Sequence, residues 1–510
     1  MALRIVRGIA VYLIAVCASA IYAAESPNIV IILADDLGYG DPGCYNDASK
    51  IPTPSIDRLA AEGLRFTDAH TPSSVCSPTR YGLLTGRYCW RTELKSSVLW
   101  PWDAPLIKPD RLTLPAMLKQ HGYRTTCIGK WHLGWNWATI DGSRINDTLP
   151  LGKLERPVRA AHGEKIDFTK PIRDGPTTRG FDSYFGVALP NFPPYCFIRN
   201  DRTVGIPTER KPESMFGLEG PMLAGWDLTK IMAALGDEAE TYIDRHARER
   251  RDEPFFLYMP LTAPHAPIAP ASPFIGKSDA GRYGDFVHEV DATVGRVLAA
   301  LDRNGLSQTT LVIFTSDNGS PARDGTNMGG QPGSVVTKFG HDPSRPWRGM
   351  KADIWEAGHR VPFVVRWPGH TKAKTQSAEL ICLTDIMASV ATIVGHKLPR
   401  DAAEDSYNIL PLMRGESVPQ PIRTSVVHHS HRGTFAMRDG SWKLIVGNLG
   451  SGGFSRPVFD KPEPGGPGGQ LYNLAVDPAE TNNLWSSKPE IVKRLVKQLD
   501  RIQRAGRSRS

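Results

Sequence analysis

The sequence of 510 residues predicts an α/β fold, with a large domain built on a central, mostly parallel mixed sheet that is flanked by helices. Short continuous apolar runs at 28–34, 254–259 and 310–316 are typical of strands buried on both faces. Amphipathic segments lie between them, the clearest at 284–301. After residue 415, closely spaced short strands and a final helical segment predict a smaller domain with an antiparallel sheet and a helix.

The domain boundaries follow from these changes in pattern. Arg4 and Arg7 precede an apolar stretch and the small residues 18–20, which is typical of a secretory signal peptide cleaved between residues 20 and 24. An uncleaved anchor is the alternative. We therefore expect a signal peptide over 1–24, the large domain over 25–415 and a smaller C-terminal α+β domain over 416–510.

The predicted signal peptide, the net charge and the cysteines indicate where the protein works and which partners it has. The signal peptide predicts an exported protein, periplasmic or secreted in a bacterium and lysosomal or extracellular in a eukaryote, with no stable membrane insertion after cleavage. The formal charge of +8 comes without a basic stripe or an aromatic platform, so we expect no nucleic-acid partner. Without Cys17 in the signal peptide and Cys76, the cysteines are odd in number and show no zinc spacing.

Taken in order, four predicted strands end in polar side chains. In open α/β sheets ligands bind outside the carboxyl ends of the strands, so side chains far apart in sequence can meet there. Each motif also has an ordinary explanation, such as a solvated turn at the paired aspartates or a hairpin turn at Asn318-Gly319. The strands 28–34, 123–128, 254–259 and 310–316 are followed by Asp35 and Asp36, Lys130 and His132, His265, and Asp317 and Asn318.

The oxygen-bearing members of this set predict a cation site. Carboxylate and amide oxygens suit calcium or magnesium, whereas zinc and copper prefer nitrogen and sulfur ligands. The predicted ligands are Asp35, Asp36, Asp317 and Asn318. A separate group, His428, His429 and His431, suggests either metal binding or a role at a strand edge or facing a substrate.

The segment 74–87 combines a nucleophile-sized side chain with an anion-binding arrangement. Pro78 and Ser77 predict a helix that begins near Ser77, and Gly86 predicts its end. Cys76 would then lie at the helix N-terminus, where unpaired N–H groups favour an anion, with Arg80 one turn later on the same face. A buried apolar cysteine or one half of a disulfide is the alternative.

Two strings carry a family resemblance. Cys76-x-Pro78-x-Arg80 followed by Leu84-Thr85-Gly86-Arg87, and Gly-Lys-Trp-His-Leu-Gly at 129–134, resemble motifs of the type I sulfatases. These are formylglycine-dependent, arylsulfatase-like enzymes of the alkaline phosphatase superfamily. The resemblance covers almost the whole mature chain and implies that 25–415 is a sulfatase catalytic domain.

The resemblance implies a sulfuric ester hydrolase that releases sulfate from a sulfate ester, with a sulfated carbohydrate as the expected substrate. It implies that a maturation enzyme oxidises Cys76 to formylglycine, whose hydrate attacks sulfur with one hydroxyl and expels sulfate with the other. It also implies one bound Ca²⁺, with Mg²⁺ less favoured, held by the four oxygen ligands and the side chain at Cys76. His265 is the candidate acid and His132 the group that orients or deprotonates the diol, although these two roles can be exchanged. The implied catalytic residues are Cys76, Arg80, Lys130, His132, His265 and Lys351.

Two other functions fit the same sequence. A phosphonate or phosphate monoester hydrolase would use the same fold and cation site, and a non-catalytic relative would bind a glycan without cleaving it. The expected partners are a sulfated small molecule or glycan and the maturation enzyme. Specificity is expected in the segments 136–179 and 320–347, both predicted as long loops, and in the C-terminal domain.

Overall fold

The computed structural model describes residues 26–509, so the predicted signal peptide lies outside the described residues. A ten-stranded sheet with helices on both faces forms the centre, and a four-stranded antiparallel sheet with a helix follows near the C-terminus, which confirms the predicted fold class. The strands are β1 Asn28–Asp35, β2 Leu64–Phe66, β3 Ala69–His70, β4 Arg124–Lys130, β5 Ser183–Val187, β6 Ile198–Arg199, β7 Arg202–Thr203, β8 Glu209–Arg210, β9 Pro221–Met222, β10 Phe255–Pro264, β11 Thr310–Ser316, β12 Phe363–Arg366, β13 Thr375–Ser377, β14 Ile381–Cys382, β15 Ser425–His429, β16 Phe435–Asp439, β17 Trp442–Val446 and β18 Gly469–Asn473.

The helices occupy the segments between these strands. Most of the long ones carry an apolar stripe that faces the large sheet or the C-terminal sheet, as expected for surface helices. The α-helices are α1 Pro54–Glu62, α2 Cys76–Thr85, α3 Leu114–Lys119, α4 Arg156–Gly163, α5 Ile231–Glu249, α6 Gly281–Arg303, α7 Ser334–Phe339, α8 Glu356–His359, α9 Asp385–Ile393, α10 Leu410–Met413 and α11 Pro489–Arg504.

The large sheet is mixed, with a parallel centre. Its strands follow the order β13-β2-β12-β11-β1-β10-β4-β5-β6-β7. The five central strands β11, β1, β10, β4 and β5 run parallel, while β12 and β6 pair antiparallel on either side. In the register, Ile31 of β1 lies between Tyr258 of β10 and Ile313 of β11. The carboxyl ends of four neighbouring strands, β11, β1, β10 and β4, therefore lie side by side.

The core lies on both faces of this sheet because successive side chains of a strand point to opposite faces. Ile31 of β1 belongs to one apolar cluster with Leu83 of α2 and Met117 of α3. Ile32, the next residue, belongs to the other cluster with Val290 of α6. Every residue of α2 is buried, and the helix ends at the predicted Gly86 with φ at 63°. The element that carries Cys76 is thus enclosed by the fold.

The C-terminal sheet packs between α11 and the large domain. Its order is β15-β16-β17-β18, and all its pairs are antiparallel. Leu495 of α11 packs with Leu444 of β17. Tyr88, in the loop after α2, packs with Val427 of β15. The domain division near residue 415 stays a prediction.

The two segments predicted as long loops hold more structure than expected. The segment 136–179 contains α4, and 320–347 contains α7. The first is also not wholly a surface excursion, because Trp137 and Ile145 are buried in the core. Their apolar residues are too widely spaced to produce a helical or strand period. The strand β5 was not predicted because its short apolar run is interrupted by Gly186 and closely follows one of these segments.

Two further properties concern membranes and disulfides. No helix among residues 26–509 combines the length and apolar character needed to cross a membrane. The six cysteines within the described residues are all free thiols, and five of them are buried.

Candidate active site and cation site

Four neighbouring strands deliver polar side chains to one edge of the large sheet. Asp35 is the last residue of β1, and Lys130 is the last residue of β4. His265 follows β10 directly, and Asp317 follows β11 directly. The side chains at these strand ends meet although they lie far apart in sequence, and the hydrogen bond between Asp36 and Asn318 joins positions 282 residues apart.

Cys76 is the first residue of α2 and lies against two of these groups. Its Sγ is 3.6 Å from Asp35 Oδ1 and 3.6 Å from Lys351 Nζ, and the residue is 2% exposed. The helix begins one residue earlier than predicted. Ser77 is not its cap, because the Ser77 hydroxyl accepts a hydrogen bond from the backbone N–H of Leu99 at 3.1 Å.

Three buried carboxylates of the site are each paired with a different cation. Removing one charge of a buried pair leaves the other uncompensated, so the three pairs stabilise one another's ionised forms. The pairs are Asp35 Oδ2 with Lys130 Nζ at 2.7 Å, Asp36 Oδ1 with Lys351 Nζ at 2.6 Å, and Asp317 Oδ2 with Arg80 Nη2 at 2.7 Å.

The pairing sets the protonation of the carboxyl groups. Burial raises the pKa of Asp35, but Lys130 and His265 outweigh burial and hold the pKa below its ordinary value. Burial likewise raises the pKa of Asp36, and Lys351 leads the charges that bring it below the ordinary value. Both groups are therefore carboxylates at neutral pH, which is the form that binds a cation.

The backbone at Asp36 turns two consecutive carboxylates toward one site. In an extended strand, successive side chains point to opposite faces. Asp36 has φ at 65°, in the left-handed region that is unfavourable for residues other than glycine. Its N–H donates to Asp317 Oδ1 at 3.2 Å. This local strain is consistent with a functional constraint on the position of the Asp36 side chain.

Asn318 provides the observation that tests the predicted cation site. Its Oδ1 is buried and has no hydrogen-bond partner among the described residues, while its Nδ2 donates to Asp36 Oδ1 at 2.8 Å. A buried carbonyl oxygen without a partner is costly unless it receives a hydrogen bond or a cation. Together with the carboxylates of Asp35, Asp36 and Asp317 it completes an all-oxygen donor set. The residues present fit a hard divalent cation such as calcium.

The segment that carries Lys351 connects two other parts of the site. The backbone N–H of Lys351 donates to the carbonyl of Ser320 at 3.0 Å, and Ser320 lies two residues after Asn318. The N–H of Ala352 donates to the carbonyl of Ser74 at 2.9 Å, in the loop before α2. Lys351 is therefore held between the Asp317 segment and the Cys76 segment by backbone contacts.

The two histidines differ in their surroundings. His265 lies with Nε2 3.7 Å from Asp36 Oδ2, and burial lowers its pKa. His132 donates from Nε2 to the carbonyl of Leu99 at 2.9 Å, which leaves its buried Nδ1 without a partner. Burial, reinforced by Lys130, holds the pKa of His132 well below its usual range. Within residues 26–509, His132 has no hydrogen bond or ion pair to the other predicted site residues, whereas His265 contacts the cluster.

The thiol of Cys76 is not activated in this environment. Burial raises its pKa to about 12, and Asp317 acts in the same direction. Lys130 and Lys351 oppose this shift without cancelling it. Because the thiolate is the nucleophilic form of cysteine, an unmodified Cys76 would be a poor nucleophile at neutral pH.

A cavity of about 460 Å³ opens over this cluster and is reached by Asp36, His265 and Lys351. Its size is in the range of small-molecule sites. Part of its wall was not identified from the sequence, because these residues belong to irregular segments in which no motif marks them. The additional lining residues include Trp100, Arg156, Phe192 and Arg323.

The histidines at 428, 429 and 431 do not converge on one point. His428 Nδ1 donates to the carbonyl of Thr71 at 3.0 Å, and its ring stacks on that of His359 with centroids 3.8 Å apart. His429 hydrogen-bonds the neighbouring Ser430 carbonyl. The structure thus offers no metal site formed by these three residues.

Comparison with known proteins places this site in a wider context. Residues 27–396 match the family described as Sulfatase. The chain is 34% identical to the N-acetylgalactosamine-6-O-sulfatase of Bacteroides thetaiotaomicron, with 94% of each chain covered, and 32% identical to the human N-acetylgalactosamine-6-sulfatase, with 78% and 68% covered. A solved Bacteroides thetaiotaomicron structure from work on glycosaminoglycan metabolism superposes with a TM-score of 0.78 at 32% identity, covering 94% of this chain and 99% of the other. The PsFucS1 sulfatase of Pseudoalteromonas gives 0.70 at 25% identity, covering 95% and 92%.

Proposed function

The chain belongs to the sulfatase family, a member of the alkaline phosphatase superfamily that hydrolyses sulfuric ester bonds, and we propose that it removes a 6-O-sulfate group from N-acetylgalactosamine in a sulfated glycan. The names of the similar sulfatases support the choice of sugar and position. The observation that carries the proposal is the position of Cys76, whose Sγ lies against Asp35 and against Lys351, a residue that lines the cavity.

The active form, in this proposal, has formylglycine at position 76. The high pKa of the Cys76 thiol supports this, because the unmodified side chain would remain protonated. When hydrated, the aldehyde supplies one hydroxyl to attack sulfur and a second to expel sulfate, which a plain cysteine or serine lacks. The modification requires a separate maturation enzyme as a partner.

The proposed cation is Ca²⁺, held by Asp35, Asp36, Asp317 and Asn318 together with the side chain at position 76. When bound, calcium offsets the negative charge of the sulfate oxygens. The unpartnered Oδ1 of Asn318 supports this assignment because it supplies the amide ligand of the oxygen set.

The cations of this chain stabilise charge around the reacting group. Lys351 Nζ is 3.6 Å from Cys76 Sγ. Lys130 and Arg80 are paired with the carboxylates of Asp35 and Asp317. Fixed positive charges in a buried site stabilise the charge that develops in the transition state without reorganising. We assign this role to Arg80, Lys130 and Lys351.

His265 is the proposed general acid that protonates the departing sugar hydroxyl. It lines the cavity, whereas the described hydrogen bond of His132 goes to the backbone of Leu99. His132 retains a free Nδ1 and is assigned to orienting the side chain at position 76. Comparing His265→Ala with His132→Ala tests the assignment. The variant that lost the acid should hydrolyse a nitrophenyl sulfate far better than a sugar sulfate, because an acidic phenol leaves without protonation.

Mass spectrometry of the peptide that contains position 76, combined with an assay of sulfate release, tests the proposal. The active protein should show an aldehyde or its hydrate in place of the thiol, and it should release sulfate from N-acetylgalactosamine 6-sulfate. Faster turnover of the matching phosphate ester, or full activity with an unmodified thiol, would contradict it.

Export is proposed from the sequence of residues 1–24, which lie outside the described residues. N-terminal sequencing of the protein recovered from its host tests this. A first residue between positions 21 and 25 is expected, and an intact Met1 would contradict cleavage.

A further inference from the structure

The cavity over Cys76 contains two arginines that the proposed chemistry does not use. Arg156 and Arg323 both line it. Neither forms an ion pair with any carboxylate in the part of the chain that the structure describes, in contrast to Arg80, which pairs with Asp317. A guanidinium that lines a substrate cavity without a counter-ion is available to bind an anion.

Arg323 lies in the loop that follows the Asp317-Asn318 pair. It is half-buried, and its Nη1 donates to the carbonyl of Gly330, which fixes the direction of the side chain. Burial lowers its pKa, and Asp36 is the charge that opposes this shift. Arg323 is therefore a partly desolvated cation close to the reacting centre, and binding an anion would offset its desolvation.

Arg156 is held at the cavity wall by its neighbour in α4. Arg159 is buried, pairs with Asp103 through Nη2 and Oδ1 at 2.6 Å, and donates to the carbonyl of Pro101 at 2.8 Å. Trp102 Nε1 donates to the carbonyl of Arg159 at 3.0 Å. These contacts fix α4 on the loop 100–103, while Arg156 itself is exposed and unpaired. The position of Arg156 is thus determined although its charged group is free.

An aromatic wall lies in the same cavity. Trp100 donates from Nε1 to the carbonyl of Gly152 at 3.1 Å, and its ring stacks on Phe192 with centroids 5.2 Å apart at 28°. Aromatic side chains that line a pocket supply apolar contact area, while a few polar groups orient the ligand. A sugar ring bound in the cavity can pack on this wall while the two arginines of the same cavity contact its charged groups.

We propose that Arg156 and Arg323 form a second anion site, which binds a further acidic group of a glycan whose scissile sulfate lies over Cys76. The acidic group is a carboxylate or a second sulfate, since both match the planar fork of a guanidinium. The inference deepens the proposed function and rests on it. The preferred substrate is then a sugar or oligosaccharide with at least two anionic groups, rather than a singly sulfated neutral sugar.

The test compares three substrates at the same ionic strength. N-acetylgalactosamine 6-sulfate carries one anionic group, its 4,6-disulfate carries a second sulfate, and a disaccharide that joins a uronate to the 6-sulfated sugar carries a carboxylate. The quantity measured is kcat/KM for each doubly charged substrate divided by kcat/KM for the singly charged one. Arg323→Gln and Arg156→Gln should each lower this ratio about tenfold, as expected for the loss of one charge-assisted contact.

Matched controls remove a positive charge from the same two chain segments but outside the cavity wall. Lys153 and Arg345 are exposed and lie in the same two chain segments as Arg156 and Arg323. Lys153→Gln and Arg345→Gln should leave the ratio unchanged, which separates a specific contact from general attraction of polyanions. The substrate whose ratio falls identifies the second group as sulfate or carboxylate.

Three outcomes would overturn the inference: an unchanged ratio in both variants, an equal loss on all three substrates, or an equal effect of the controls. The dissociation constants of the same sugars for Cys76→Ala, measured by calorimetry, separate this inference from the proposed function. If wild-type protein releases no sulfate but Cys76→Ala prefers doubly charged sugars through Arg156 and Arg323, the proposed function fails and the second anion site stands. If the preference is absent in both assays, the second anion site is refuted.

Discussion

Two of the buried clusters of charged side chains within residues 26–509 are built from similar ion pairs but lie in different surroundings. The first is the candidate active site at the strand ends. The second, called here the Glu356 network, lies between α8 and the C-terminal sheet. Its members are all buried and consist of His70, Glu356, His359, His428, Lys443 and Glu480.

The Glu356 network is built from the same kinds of pairs as the site. Lys443 Nζ lies 3.1 Å from Glu356 Oε1 and 2.9 Å from Glu480 Oε1. His70, His359 and His428 each offer a ring nitrogen within 4.8 Å of the others, but His359 stacks on His428 and Lys443 Nζ lies 3.2 Å from His359 Nε2. A bound cation would have to compete with this ammonium group.

The comparison shows that burial, ion pairs and shifted pKa values do not by themselves mark an active site. Both clusters have all three. The site differs because Asp36, His265 and Lys351 themselves border a cavity. It also differs because Asn318 Oδ1 has neither a hydrogen bond nor an ion pair among the residues that the structure describes, whereas Glu356 Oε1 and Glu480 Oε1 face Lys443. Function in the first cluster and stability in the second should therefore respond to different mutations.

Replacing the side chain at position 76 should have the largest effect. Cys76→Ala removes the reacting group, so kcat/KM for sulfate release should fall on the order of 10⁴-fold or more. The unfolding midpoint should change little, since the residue contributes a small side chain to the core. Steady-state kinetics and thermal unfolding measure the two effects. Retention of a tenth of the activity would show that Cys76 is not the reacting residue.

Removing a carboxylate of the proposed cation site should cause the next largest loss of activity. Asp317→Asn deprives Arg80 of its partner and the cation of a ligand, so activity should fall by about 10³-fold. Added calcium should raise the unfolding midpoint of the wild-type protein but not of this variant, by mass action on the folded state. The surface variant Asp141→Asn should keep the calcium response.

The effect of removing the cation with a chelator can be predicted from the three ion pairs of the site. Because Arg80, Lys130 and Lys351 already balance three carboxylates, the chelated protein should stay folded while losing activity. Calcium should restore the activity. Unfolding by the chelator alone would contradict this balance.

A mutation in the Glu356 network should lower the stability of the protein and leave its catalytic activity almost unchanged. Lys443→Met leaves Glu356 and Glu480 without their shared cation, which should lower the free energy of unfolding by about 3 kcal/mol. kcat/KM per folded molecule should remain within about threefold of wild type. Denaturant unfolding and active-site titration measure the two quantities. A large loss of kcat/KM with unchanged stability would reverse the distinction between the clusters.

The stability of the protein should also depend on pH. Burial, reinforced by neighbouring histidines, holds the pKa of His359 and of His428 well below 6.5. The unfolded chain takes up these protons near pH 6.5 and the folded chain does not. The free energy of unfolding should therefore fall as pH drops below about 6.5, by about 1.4 kcal/mol per pH unit for each proton.

Glu480 acts in the opposite direction within the same network. Burial raises its pKa to about 7, so its contribution is present at acidic pH and is lost as pH rises through 7. His428→Asn removes one of the two histidines that cause the fall in stability between pH 7 and pH 5. The fall should become shallower but remain, because His359 is still present. Denaturant unfolding at pH 5, 6 and 7 measures this, and an unchanged slope would show that His428 does not take part.

The sequence predicted β1, β10 and β11 at the centre of the large sheet because their apolar runs are continuous, whereas β5 was not predicted. The predicted strand 310–316 agrees with β11, and the polar residues that follow β1, β4, β10 and β11 meet at one edge. The family resemblance added Lys351, which no strand-end argument identifies.

What the sequence did not predict depends on tertiary contacts. Arg156 and Trp100 lie in segments without period, and α4 is fixed on its neighbouring loop by the buried Arg159. The backbone turn at Asp36 and the tight approach of Gly319, where a Cβ would lie 1.8 Å from the carbonyl oxygen of Ala357, are also invisible in a pattern of residue types.

The enclosure of Cys76 has a consequence for the order of events during protein synthesis. Cys76 leaves the ribosome well before Lys351, which is 275 residues further along the chain and contacts the Cys76 thiol in the folded protein. During that interval the proposed maturation enzyme could reach the nascent segment around residue 76, while afterwards only 2% of the residue is exposed. A copy that closes with its thiol intact would remain unconverted for as long as it stays folded.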